Sequence, residues 1–231
     1  MRPPGTGHLF DEDRLAVWRE ELEGVGLGLG VALATEPRLA PAGPGEAAAI
    51  VPMPGRRRSE FLAGRLAARR ALRAVGLDCG DIPRAGRLPC FPPGRAASIS
   101  HSAGVAVAVA RAPGHDTPLG CDLELRPLPF GAARLFLRED EEHLLRAWPV
   151  TALFSAKEAA WKTLAGEIPG STLRDLRAGA DGAAWADGAG GAGGAGWLRI
   201  SAREATPRTV RVRVRAAGPG VFSVVLGPDT D

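Results

Sequence analysis

Lysine is almost missing from this chain. Of its 29 lysines and arginines in 231 residues, only Lys157 and Lys162 are lysine. Arginine is a fixed fork that stays charged, whereas lysine carries a compact, mobile ammonium that can give up a proton. Two lysines within six residues therefore mark Phe154-Ser155-Ala156-Lys157-Glu158-Ala159-Ala160-Trp161-Lys162 as a segment kept for chemistry. Cysteine is scarce too. Cys79, Cys90 and Cys121 are odd in number and scattered, with no Cys-x-x-Cys pair and no histidine spacing for zinc. This excludes a disulfide framework and a zinc site and predicts ordinary buried thiols in a reducing, cytoplasmic setting. No apolar run reaches 18 residues, so no membrane span is expected, and the charged, proline-containing start does not read as a signal peptide.

Apolar residues make up 45% of the chain, enough for one large core or two small ones. The net charge of +3 is unevenly spread. Between Arg56 and Arg73 lie seven arginines and a single acid, Glu60. One concentrated basic patch suits a phosphate-rich small ligand better than a nucleic-acid duplex, which calls for a broad basic face.

Along the chain, Asp11–Glu23 predicts a short charged helix and Gly26–Ala34 a strand whose Gly-x-Gly-x-Gly pattern lacks the spacing of a dinucleotide loop. The stretch from Pro37 to Gly55 reads as loop with a brief apolar run at Ala47–Val51. Ser59 is positioned to cap a helix ending at Val75, which leaves Arg56–Arg58 just before its start. Residues 76–97 are irregular, and Ser98–Ser102 and Val105–Ala110 form a hairpin turning at Gly104. Leu119–Leu125 alternates apolar residues with Gly120, Asp122 and Glu124, predicting a strand with one acidic face. Helices follow at Arg138–Trp148 and Ala152–Ala165. The alanine- and glycine-rich tract 178–196 reads as a flexible insertion, and strands at Thr209–Arg215 and Val221–Leu226 close the chain.

Asp122 and Glu124, two apart on a strand, can reach one small cation, although an acidic pair on an edge strand can equally be just solvated. Glu158 and Lys162, four apart on a helix, share a face. The plain alternative there is an exposed ion pair worth roughly 0.3–0.5 kcal/mol. With Glu158 added, three carboxylates without thiolate or clustered imidazole point to Mg²⁺, with Mn²⁺ possible, and to a phosphate-bearing substrate that completes the coordination.

Four segments together resemble the ordered motifs of the 4′-phosphopantetheinyl transferases. These are Arg56-Arg57-Arg58-Ser59-Glu60-Phe61-Leu62-Ala63-Gly64-Arg65, Ser98-Ile99-Ser100-His101-Ser102, Leu119-Gly120-Cys121-Asp122-Leu123-Glu124 and Phe154–Lys162. The first is similar to the form in the single-chain surfactin- and enterobactin-type branch. The resemblance implies an α+β chain of two similar α/β subdomains, a pseudo-dimer with its active site in the cleft between them. It places an N-terminal lobe at residues 1–115 and a C-terminal lobe at residues 116–231. It implies a monomer that moves the phosphopantetheine arm of coenzyme A onto a serine of an acyl or peptidyl carrier protein and releases adenosine 3′,5′-bisphosphate. Asp122, Glu124 and Glu158 would then hold the metal, and Glu158 would also serve as base. Lys162 would contact the pyrophosphate and the leaving group. Arg57, Arg65, Ser100 and His101 would bind coenzyme A phosphates, and Lys157 would add to or orient that site. Phe91 and Ala97 depart from the usual tryptophan and glycine of relatives. Two alternatives are another Mg²⁺-dependent enzyme acting on a pyrophosphate-bearing nucleotide and a non-catalytic coenzyme A- or carrier-binding module.

Overall fold

A computed structural model describes residues 12–86, 88–115, 119–164, 168–182, 185, 194–203 and 208–228. The chain divides into two compact units, Trp18–Leu119 and a second built on Gly120–Asp231. Each combines helix with antiparallel sheet, so the class is α+β.

In chain order, α1 (Glu12–Glu23) leads into β1 (Leu27–Leu33), α2 (Pro44–Ile50) and α3 (Gly55–Ala74). The short strands β2 (Arg84–Ala85) and β3 (Leu88–Pro89) pair with each other, and the hairpin β4 (Ala97–Ser102) and β5 (Val105–Arg111) follows. The sheet order is β1-β5-β4, antiparallel throughout. Its helix-covered face is built from small residues. Gly28, Gly30 and Ala32 of β1 stand opposite Ala110, Ala108 and Ala106 of β5, and Ala67, Ala68, Ala71 and Leu72 of α3 share their core. A side chain at Gly30 would collide with the α3 backbone at Ala67 and Ala71. The glycine pattern of β1 is thus a seat for a helix, not a phosphate loop. The β4–β5 turn places Ala103 and Gly104 at φ of 50° and 82°, the left-handed pair of a tight hairpin.

The second unit carries β6 (Cys121–Glu124), α4 (Val150–Leu164), β7 (Leu176–Ala180), β8 (Ala195–Ala202), β9 (Thr209–Ala217) and β10 (Gly220–Pro228). Sheet order is β6-β10-β9-β8-β7, which makes β6 an edge strand. Val210, Val212 and Val214 alternate inward along β9 while Arg211, Arg213 and Arg215 are only partly covered, the period-two signature of a one-sided sheet. Ala152, Leu153, Ala156, Ala159 and Ala160 press α4 onto the same core.

Five expectations are corrected. Residues 44–50 form a helix rather than loop, started by Pro44 in its first turn and by Asp81, whose carboxylate accepts from the N–H groups of Gly45 and Glu46 at 2.7 and 2.8 Å. Helix α3 begins at Gly55, not at a Ser59 cap, so Arg56–Arg58 lie within its first turn. Glu139–Arg146 is a 3-10 helix. The tract 178–196, expected to be a flexible insertion, contributes to β7 and β8 at its ends, where Ala178 pairs with Ile200 and is buried; residues 183, 184 and 186–193 lie outside the described set. Small side chains pass for linker when composition is read alone, but here they pack beneath a helix. Cys90, expected to be buried, is exposed, while Cys79 and Cys121 are buried and all three are free. No helix among the described residues is long and apolar enough to cross a membrane.

Candidate functional site

In the second unit the edge strand and α4 meet at Gly120. A side chain there would run into the Ala159 carbonyl and the Thr163 hydroxyl, so only glycine lets the helix lie this close. The close approach brings the polar face of α4 over Asp122. Lys162 Nζ donates to Asp122 Oδ1 at 2.8 Å and to the Cys121 carbonyl at 2.9 Å. Ser155, fully buried, donates its hydroxyl to the Asp122 carbonyl at 3.3 Å. Asp122 is 4% exposed, so the strand face expected to be solvated lies mostly under the helix.

Glu158 completes the cluster. Burial pushes its carboxyl pKa upward, the Asp122 charge pushes it further, and Lys162 only partly offsets the two. Lys162 is also shifted upward: burial, the largest single influence, lowers its pKa, but the charge and hydrogen bond of Asp122 together with the pull of Cys121 and Glu158 outweigh it. The arrangement joins a strongly held ammonium to a carboxylate readier than usual to accept a proton near neutrality. Glu124 follows two residues after Asp122, and its backbone partner is Val221.

Lys157 is corrected. It is fully buried, donates to the Phe136 carbonyl at 2.8 Å and pairs with Glu141 at 2.7 Å. Glu141 also accepts from the Ala178 N–H at 2.7 Å and from Arg203 at 2.8 Å. Burial lowers the Lys157 pKa against the pull of Glu141. An enclosed ammonium held by the Phe136 carbonyl and Glu141 anchors α4 from within. The sequence reads this lysine as chemical because Glu141, its partner, lies 16 residues upstream.

The first unit holds the candidate phosphate groups. Arg57 at the start of α3 contacts His101 Nε2 on β4 through Nη1. Arginine can only donate, so His101 accepts at Nε2. Glu60 joins them: its carboxylate lies 3.0 Å from Arg56 Nε, 3.6 Å from Arg57 Nη1 and 3.9 Å from His101 Nε2. Helical i,i+3 and i,i+4 spacing to two arginines was the available signal for Glu60, and sequence reasoning passed over it. Ser100 is buried on β4. Arg65, expected to bind a coenzyme A phosphate, lies mostly buried. It is 6% exposed, donates from Nε to the Ile82 carbonyl at 2.7 Å and stacks over the Phe61 ring at 4.4 Å. Burial pushes its pKa down to about 10, so it stays charged while packing.

The metal expectation meets a specific limit. Among the described residues, no group of three or more histidine, cysteine, aspartate or glutamate side chains is gathered to hold a metal ion. What the structure brings together is Glu158, which feels the Asp122 charge, with Asp122 and the Lys162 ammonium that Asp122 holds. All-oxygen donors in an incomplete set fit Mg²⁺, which keeps waters and takes further ligands from substrate phosphates. They do not form a closed all-protein cage.

Residues 45–111 match the family model described as 4′-phosphopantetheinyl transferase N-terminal domain. The chain is 36% identical over 124 residues to enterobactin synthase component D of Salmonella typhi, across 49% of this chain and 50% of that protein, and equally to the protein of the same name from Salmonella typhimurium. It thus spans about half the length of the curated relatives it matches. The match over 45–111 covers the Arg57 and His101 segments, so this part of the chain is similar to the N-terminal domain of the 4′-phosphopantetheinyl transferases.

Proposed function

We propose that the chain transfers the 4′-phosphopantetheine group of coenzyme A to a serine hydroxyl of an acyl or peptidyl carrier protein and releases adenosine 3′,5′-bisphosphate. The observation that carries this reading is the Lys162–Asp122 contact beside a carboxyl, Glu158, whose pKa is raised.

In the reaction, the serine oxygen attacks the phosphorus that bears the pantetheine arm. The bond from that phosphorus to the bridging oxygen breaks, and the electron pair leaves with the adenosine bisphosphate. Glu158 takes the serine proton, directly or through a water, since its raised pKa suits a base working near neutrality. Lys162 keeps its proton and supplies fixed positive charge at the leaving phosphate, which its upward shift favours. Asp122 holds Lys162 in place and, with Glu158 and Glu124, would hold Mg²⁺. When bound, that ion neutralises pyrophosphate charge as a Lewis acid. Arg57, Ser100 and His101 bind coenzyme A phosphates, with Arg57 supplying the bidentate fork. Arg65 and Lys157 support the two helices from within.

The test is intact-mass analysis of an apo carrier protein incubated with the chain, coenzyme A and Mg²⁺. A gain of about 340 Da on the carrier, the mass of the added covalent group, is expected. An unmodified carrier across a panel of acyl and peptidyl types would overturn the proposal.

A further inference from the structure

Ser223 lies in the middle of β10, directly opposite Asp122 of β6 in the antiparallel register. It has no solvent exposure, and among the described residues its hydroxyl has no hydrogen-bond partner. Its neighbours along and across the sheet are apolar: Val221 and Val225 two residues away on its own strand, and Val214 opposite on β9. In such surroundings a buried hydroxyl is worse for stability than an alanine methyl. Of the two residues paired directly with Ser223, Asp122 is polar and Val214 is not. Directly opposed residues share a face and bring their Cβ atoms to about 4.5–5.5 Å, a separation that a serine hydroxyl and a carboxylate span by side-chain rotation. Ser155 already donates to the backbone of Asp122 from the helix above. The carboxylate has Lys162 on one oxygen.

We propose that Ser223 is a positioning residue for Asp122. Its hydroxyl turns to donate to the Asp122 carboxylate, which Lys162 continues to hold, and so fixes the carboxylate for a divalent cation. The inference rests on the transferase reading above. It adds a residue that none of the four motifs contains, contributed by the last strand of the fold.

The experiment compares wild type, Ser223→Ala, Ser223→Thr and Ser223→Cys in the full chain. The readouts are thermal unfolding without metal, Mn²⁺ binding followed by electron paramagnetic resonance in the presence of coenzyme A, and the Mg²⁺ dependence of turnover. Ser223→Ala should unfold at the same temperature as wild type or higher, yet bind Mn²⁺ about tenfold more weakly, as expected for loss of a group that orients a ligand. Its half-saturating Mg²⁺ should rise in step. Ser223→Thr, which keeps the hydroxyl, should bind Mn²⁺ better than Ser223→Ala, and Ser223→Cys should resemble Ser223→Ala. Equal Mn²⁺ affinity in wild type and Ser223→Ala overturns the proposal while leaving the transferase reading intact. Equal weakening in all three variants, accompanied by lowered unfolding temperatures, also overturns it, since that pattern marks packing alone. A wild-type chain that binds no Mn²⁺ with coenzyme A present overturns the metal reading itself, and this inference with it.

Discussion

Lys162 Nζ lies 2.8 Å from Asp122 Oδ1, a contact between the end of a helix and an edge strand 40 residues earlier. The other lysine, five residues back on the same helix, points into the core and pairs with Glu141. The two lysines of the chain thus have different work, one at the candidate site and one beneath it.

Lys162→Ala should lower kcat by about 10²–10³, the loss typical of removing one preorganised group that stabilises transition-state charge, with little change in the KM for coenzyme A. Steady-state kinetics with a carrier substrate checks this. Lys162→Arg should recover little, because a planar fork cannot take the place of a compact ammonium between a carboxylate and a carbonyl.

Lys157→Met should cost stability instead. It leaves the buried Glu141 with Arg203 and the Ala178 N–H but without its ammonium. Breaking a buried pair from one side costs about 3–5 kcal/mol. Urea unfolding should show this loss, and the folded fraction should keep its KM for coenzyme A. A raised KM at unchanged stability would restore Lys157 as a ligand contact.

Glu158→Gln should lose turnover and gain stability. Burial and the Asp122 charge raise the Glu158 pKa, so the folded chain holds this proton to higher pH than the unfolded chain does. The group's favourable contribution is therefore fully present below the unfolded value and lost as pH rises through the folded one. The variant should melt at a higher temperature than wild type at pH 8, and the gap should close on the acid side of the window. Calorimetry at both pH values measures it.

Arg57→Ala should raise the KM for coenzyme A about tenfold and leave that for 3′-dephospho-coenzyme A nearly unchanged, if Arg57 grips the 3′-phosphate. Arg65→Met should change both little and destabilise the chain, because that guanidinium is packed over Phe61 and held by the Ile82 carbonyl.

The elements with strong periodicity were legible in the sequence: the hairpin turning at Ala103 and Gly104, the alternation of β9, and the helix around Glu158. What was not legible depended on partners far away in the chain. Helix α2 needs Asp81, 35 residues on, to hold its first turn. The alanine- and glycine-rich ends of 178–196 become strands through distant partners, Ile200 and Leu198 opposite the first and Val214 and Arg215 opposite the second. For the site, residue type and helical spacing placed Glu158 with Lys162, and motif order associated them with Asp122. Burial decided the rest. Arg65 and Lys157 carry the right charge for phosphate, but each lies where its side chain is already engaged. Ser223 lies in no motif and is found only through its register with Asp122.

The most direct measurement of the central claim is the time course of apo-carrier mass at saturating coenzyme A and Mg²⁺, with wild type and Lys162→Ala run side by side. The Lys162–Glu158 chemistry predicts a gain of about 340 Da that builds about a hundredfold more slowly in the variant. Identical rates, or an unmodified carrier with the wild-type chain, would contradict it.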